Sequence, residues 1–280
     1  MNVEFYIQNS YKASELIAKK YSTSFSLATS LLEKEKRKAI YAIYGFVRLA
    51  DEIVDSFQGY DQTYMLQNLN EQLDYALKNN LSSNVLLASF ADTVRKFNVS
   101  RAHIDAFMES MKSDLSIVHY TSSDQLNSYI YGSADVVGLM CLKVFCNGNQ
   151  ALYSQLEHSA QKLGSAFQKV NFLRDLNADK KELGRSYFPE LTNLTFDNSS
   201  KQRIEASIDA DFNEAWIGIK QLPGRSKLAV ALAYFYYRTL HQKIKKLPPE
   251  SLLSKRVRIN NGMKYLILLR VAFIYKAKCI

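Results

Sequence analysis

Gln168-Lys169-Val170-Asn171-Phe172-Leu173-Arg174-Asp175-Leu176-Asn177-Ala178-Asp179 carries an unusual stripe of side chains. At 3.6 residues per turn, Gln168, Asn171, Asp175 and Asp179 fall at i, i+3, i+7 and i+11 and share one helix face. A face of amides and carboxylates alone is not a core face, and a solvated face would mix lysine with glutamate. Upstream, Asp51-Glu52-Ile53-Val54-Asp55 again sets two carboxylates four positions apart, on one side of a helix. Each pair follows an arginine, Arg48 or Arg174. Two such helices facing one another form a cage of four carboxylates, which suits hard divalent cations. Mg²⁺ takes a few carboxylates together with substrate phosphates and water, and Mn²⁺ accepts the same oxygen donors. The residues therefore point to Mg²⁺-dependent chemistry on a diphosphate.

The surrounding chain is patterned for helices. Only 10 glycines and 4 prolines interrupt 280 residues. Ile40, Ile43, Tyr44, Val47 and Val54 recur at threes and fours over 34–56, and Ile104, Phe107, Met108, Met111 and Leu115 do so behind a capping Ser100. Further helices are expected from Ser122 or Ser123 onward, over 151–179, over 228–240 between Pro223-Gly224 and Pro248-Pro249, and over 255–277. No strand alternation persists beyond four or five residues. The polar stretch Gly184–Ser200 reads as a loop at the mouth of a cavity. With no linker in view, the expectation is one all-α domain covering 1–280.

Hydrophobic residues make up 47% and charged residues 22%, enough to build a core. Cys141, Cys146 and Cys279 form no CxxC pair, and His103, His119, His158 and His241 are scattered, so neither zinc nor a disulfide framework is expected. The cysteines and the absence of a signal-peptide pattern after Met1 favour a reducing, cytoplasmic compartment. The apolar stretches Leu228–Tyr237 and Tyr265–Ile274 fall short of the ~20 residues of a membrane span. Of the net charge of +9, residues 201–280 carry 16 basic and 5 acidic side chains, so the excess is C-terminal. No nucleic-acid module motif accompanies it, and nucleic acid is not expected as a partner. Arg256, Arg258 and Lys264 read as a solvated basic face, with reach to a diphosphate as the other reading.

Taken together, the motifs resemble those of the squalene/phytoene synthase family, the head-to-head prenyl transferases. The likeness rests on Tyr21-Ser22-Thr23-Ser24-Phe25, on Tyr44 through Asp55, on Tyr129 through Gly138, on Gln168 through Asp179, and on Gly184-Arg185-Ser186-Tyr187-Phe188-Pro189. The resemblance implies an isoprenoid-synthase-type helical bundle around a central cavity. It implies that Asp51, Asp55, Asn171, Asp175 and Asp179 bind Mg²⁺. Ser22, Ser24, Arg48, Arg174 and Tyr187 would hold two diphosphates, and Tyr44, Tyr131 and Gln168 would line the reacting centre. The implied reaction joins two prenyl diphosphates through a cyclopropylcarbinyl diphosphate. Phytoene-type enzymes discharge the last cation by proton loss and squalene-type enzymes by hydride from NADPH.

The Tyr131-Gly132 junction looks more like the carotenoid branch, so the favoured substrate is geranylgeranyl diphosphate, the product phytoene, and no NADPH is expected. Squalene or dehydrosqualene synthesis from farnesyl diphosphate is the alternative. A non-catalytic assembly factor is disfavoured, because all four aspartates and Asn171 are present. A long apolar product and a basic C-terminal third suggest peripheral contact with the inner face of a membrane. The chain departs from the family pattern in Glu52, where a second aspartate is common, in Thr23, where a basic residue is common, and in Asp135, where glycine is frequent.

Overall fold

The computed structural model describes residues 2–117, 119–182, 184–189, 196–254, 256–277 and 280. Helices follow one another along the chain: α1 (Val3–Tyr21), α2 (Thr23–Thr29), α3 (Lys34–Asp55), α4 (Gln62–Asn79), α5 (Val85–Phe97), α6 (Arg101–Ser113) and α7 (Ser123–Ile130). A π-helical turn (Tyr131–Asp135) joins α7 to α8 (Val136–Cys146). Then come α9 (Gln150–Glu182), α10 (Asn198–Ile219), α11 (Gly224–Lys245), the single turn α12 (Pro249–Leu252) and α13 (Asn261–Lys276). Among the described residues the only β pairing is an isolated bridge between His119 and Ser186.

Local chemistry sets the ends. Asn2, Ser22, Asp61, Asn84, Ser122, Asp197 and Asn260 each accept a backbone N–H of the following first turn, the role their short polar side chains favour. Ser100 occupies its expected cap position without a side-chain hydrogen bond. Asn80, Asn98 and Asn147 close α4, α5 and α8 in the left-handed region, with φ of 54°, 51° and 47°. The expected loop Gly184–Ser200 is shorter at its far end. Asp197 and Ser200 form a reciprocal capping box and start α10 at Asn198. Its residues 190–195 lie outside the described ones.

Two apolar clusters dominate. One gathers α3, α4, α5, α6 and α8 around Phe46, whose ring stacks on Phe90 at 4.1 Å and meets Phe107 edge-on. The other gathers α9, α10, α11 and α13 around Phe212, Leu173 and Val170. A buried polar knot pins α9 to α10: Asp211 accepts from Lys169 at 2.6 Å and from Ser165 Oγ at 2.8 Å. Ser123–Cys146 is long and apolar enough by composition to cross a membrane, which the sequence reading did not anticipate. Half of its most apolar 18-residue window is buried inside the bundle, as for a central helix of a packed core.

Gly132 shows why tyrosine is followed by glycine at the π turn. A Cβ there would sit 2.8 Å from the carbonyl oxygen of Ala106 and 2.8 Å from Ser110 Cβ, so any side chain would push the turn off α6.

Candidate active site

A cavity of about 690 Å³ opens between the clusters. Helix α9 forms one wall with a stripe at helical spacing: Leu156, Ser159, Ala160, Leu163, Gly164, Phe167, Gln168, Asn171 and Arg174. The stripe runs from apolar to polar, which gives the cavity an oily floor and a charged mouth. Helix α2, the π turn, α8, α10 and α11 supply the other walls. Phe167 and Tyr237 stack face to face at 3.9 Å within the lining, and the Tyr237 hydroxyl donates to Asn171 Oδ1 at 3.2 Å.

Three positive groups face the mouth from the C-terminal segment: Arg256, Arg258 and Lys264 line the cavity. Arg256 and Arg258 are also solvent-exposed, so the basic face is solvated and borders the cavity at once. Arg256 Nε lies 2.7 Å from Asp175 Oδ1, and Lys264 Nζ donates to Thr23 Oγ1 at 2.8 Å. The ammonium thus stands against the threonine that replaces a basic residue in the family pattern. A charge absent from position 23 is present in space from 241 residues away in the chain.

The acidic ends of α3 and α9 approach one another beside this mouth, bridged by Arg185. Arg48 donates to Asp51 at 2.5 Å, pairs with Glu52, and lies over the Tyr21 ring at 4.4 Å. Arg174 Nε donates to Asp175 Oδ1 at 3.0 Å. Arg185 joins the two walls: its side chain lies 2.6 Å from Asp55 Oδ1, and its backbone N–H donates to the Asp179 carbonyl at 3.0 Å. The same guanidinium donates to the Asp114 carbonyl at 2.8 Å. Asp114 is itself buried and accepts from the Tyr129 hydroxyl at 3.0 Å.

Burial, and then the charge of Asp55, raises the Asp51 carboxyl to about 6. Burial, followed by the charges of Asp175 and Asp55, raises Asp179 to about 7. Asp114 is raised to about 7, first by burial. Carboxylates that repel across two helices mark a place short of positive charge. Among the described residues no three acid, histidine or cysteine side chains are gathered into a ready metal site. The donor set is nonetheless all oxygen and suits Mg²⁺, which uses few protein ligands and completes its shell with phosphate oxygens and water. Asp51, Asp55, Asn171, Asp175 and Asp179 are the residues that would hold it with a diphosphate.

These shifts set a pH dependence. A carboxyl raised in the fold contributes stability that is complete below the unfolded value of 3.8 and is lost as pH rises through 6 to 7. The ligand-free protein is therefore expected to melt a few degrees lower at pH 8 than at pH 5. Mg²⁺ with diphosphate is expected to reverse most of the difference. Differential scanning fluorimetry checks this, and a ligand-free melting temperature that climbs from pH 5 to 8 contradicts it.

Other expected site residues fall in varied places. Ser22, Ser24, Gln168, Asn171 and Arg174 line the cavity. Ser22 Oγ accepts from Phe25 N as the cap of α2, which leaves its O–H free to donate. Gln168 Nε2 reaches Ser133 Oγ at 3.4 Å. Tyr44 stacks on the cavity-lining Phe25 with centroids 4.6 Å apart, and burial pushes its phenol up to about 12. Tyr187 does not line the cavity but lies beside the acids. It is buried against Phe172, at 3.9 Å, and Tyr129, at 5.6 Å, with its hydroxyl on the Arg185 that also holds Asp55, and the charge of Asp179 reaches its phenol. Tyr131 departs furthest: it is 41% exposed, lies outside the lining, and is near enough to Tyr153 to raise that phenol. The π turn is the reason, because its wider winding puts Ser133 and Ala134, not Tyr131, on the cavity side. Asp135 likewise points away, toward Asp211, Lys162 and Lys169, and burial raises its carboxyl to about 7.

An all-α bundle around an aromatic-lined pocket, with paired aspartate helices and arginines at its mouth, defines an isoprenoid-synthase-type protein. The squalene/phytoene synthase family profile matches residues 18–262. The chain belongs to that family, whose members are prenyl transferases. It is 28% identical to phytoene synthase 1, chloroplastic, of Zea mays over 94% of this chain and 68% of that one. It is 31% identical to a phytoene synthase of Arthrospira platensis over 74% of this chain and 69% of that one. The chain thus spans about two thirds of the length of these relatives. A crystal structure of a dehydrosqualene synthase shares the fold, with a TM-score of 0.81, 23% identity, and coverage of 97% of this chain and 98% of that one.

Proposed function

We propose that residues 1–280 act as one catalytic unit, a phytoene synthase that condenses two molecules of geranylgeranyl diphosphate head to head. The reading is carried by the relatives above, and the cavity is deep enough for it. From Asn171 at the mouth to Leu156 at the floor the α9 stripe covers fifteen residues, about 22 Å at 1.5 Å per residue. At roughly 1.2 Å per extended bond, the sixteen-carbon main chain of a C20 tail needs about 19 Å and the twelve-carbon chain of a C15 tail about 14 Å. The pocket accommodates either, and the longer tail fills it.

Bound Mg²⁺ would neutralise charge building on the departing diphosphate. Arg174, Arg256 and Lys264 line the cavity and would meet the same oxygens, and the arginine forks suit them in pairs. The apolar walls exclude water that would quench an allylic cation, and the stacked Phe167 and Tyr237 offer it their π faces. The product is a long hydrocarbon, insoluble in the cytoplasm. We place the enzyme on the cytoplasmic side, in peripheral contact with a membrane that receives it.

The test is a substrate panel: geranylgeranyl or farnesyl diphosphate, each with and without NADPH, followed by product chromatography. The expected result is a C40 product from geranylgeranyl diphosphate without NADPH. A clear preference for farnesyl diphosphate, giving a C30 product, overturns the chain-length assignment. Ala160→Phe provides a second reading of the same ruler. It raises the floor to eleven residues below Asn171, about 16 Å. Turnover of geranylgeranyl diphosphate is expected to fall at least tenfold relative to farnesyl diphosphate.

A further inference from the structure

Helix α13 is apolar on both of its sides. Ile267 and Val271 are buried against the second cluster. On the opposite face Leu266, Leu269 and Phe273 are 62%, 66% and 72% exposed, and Tyr265 beside them is 62% exposed. These residues recur at i, i+3 and i+7 and form one continuous ridge. At helical angles Arg270 flanks the ridge on one side and Lys276 on the other. Large apolar side chains concentrated on one exposed helix face mark a surface that something covers.

The charge of this segment selects among covers. After Glu250 the sequence contains seven lysines and arginines and no aspartate or glutamate. A second copy related by a two-fold axis would set cation against cation along the ridge. An anionic lipid surface complements it: the ridge enters the acyl boundary while Arg270 and Lys276 reach the headgroups. Position supports the same cover. Ile259 and Lys264 line the cavity, and Lys264 is bonded to Thr23, so the first turn of α13 stands at the cavity mouth. A bilayer seated on the ridge lies beside the opening through which an apolar product leaves.

We propose that the outer face of α13, centred on Leu266, Leu269 and Phe273, docks the protein onto anionic membrane with its cavity mouth at the lipid surface. The proposal gives the membrane contact named above its surface and rests on that reading. None of the three side chains lines the cavity, so docking and catalysis are separable.

The experiment is vesicle flotation of the full chain and of L269E/F273E, on phosphatidylcholine alone and on phosphatidylcholine with about a third phosphatidylglycerol. The wild type is expected to float with the anionic vesicles at least tenfold more than with the neutral ones, and less in high salt. The variant is expected to lose flotation at least tenfold while keeping its melting temperature and its turnover of detergent-solubilised substrate. Leu269→Ser, which adds no charge, is expected to lose part of the binding. Equal flotation of variant and wild type overturns the proposal. So does a wild type that fails to float but self-associates through this face, as seen by light scattering. Flotation lost with solubilised turnover intact separates the docking surface from the enzymatic reading, which has its own assay.

Discussion

Asp175→Ala is expected to lower turnover by about three orders of magnitude or more, with the helical circular dichroism spectrum unchanged. Asp175 is where both sources of positive charge converge: Arg174 from its own helix and Arg256 from the C-terminal segment bond the same carboxylate. Its removal deletes a metal donor and also frees two arginines that now have no partner to orient them. The loss should fall on turnover, because charge on the leaving group develops only as the C–O bond breaks. Asp51→Ala on the opposite wall should match it, since Arg48 holds that carboxylate in the same way. Asp175→Asn keeps the shape and one acceptor oxygen but loses the second acceptor and the charge, and should recover little. Single-turnover kinetics with product chromatography measures all three. Turnover near that of the wild type in any of them contradicts the role assigned to the acids.

Arg185→Ala is expected to harm both stability and catalysis. The Arg185 side chain is only 5% exposed, and it serves Asp55 and the carbonyl of Asp114 while facing the Asp114 carboxyl at 4.0 Å. Its loss strands the buried Asp114 and unpairs the part-exposed Asp55, and removing one partner of a buried pair costs about 3–5 kcal/mol, with Asp55 adding less. It also cuts the tie between the walls, so Asp55 is no longer oriented toward Asp179. Urea unfolding gives the first effect and turnover the second. Adding Asp114→Asn should return part of the stability, because the neutral amide can be buried without a counter-charge, but should not return turnover. A double variant no more stable than Arg185→Ala would show that the destabilisation has another source.

Much of the site was legible in the sequence because it is written in short spacings. Asp51 with Asp55, and Gln168 with Asn171, Asp175 and Asp179, lie within single helices, where periodicity converts position into direction. The helix boundaries near Ser122, Pro223 and Pro248 followed from caps and breakers for the same local reason. What sequence reading missed acts across distance or against regular winding. Arg185 sat in a quoted motif without a role, because its partner Asp55 lies 130 residues earlier. Asp114 is a lone acid in a turn, and no pattern distinguishes it from a solvated one. Lys264 meets Thr23 only because α13 folds back along α11, and a basic run gives no hint of which member turns inward. Tyr131 was misplaced because a 3.6-residue period cannot reveal a π turn, whose one extra residue rotates everything before it. The outer ridge of α13 was invisible for a related cause: a helix apolar all round looks like a core helix until its neighbours are known.

The central claim is that acids on two separate helices jointly grip Mg²⁺ through a diphosphate, and titration calorimetry with inorganic diphosphate tests it most directly. The wild type should bind diphosphate at least tenfold more tightly with Mg²⁺ than without it. Asp51→Asn on one wall and Asp175→Asn on the other should each remove that gain. Mg²⁺-dependent binding that survives unchanged in either variant would contradict a shared site.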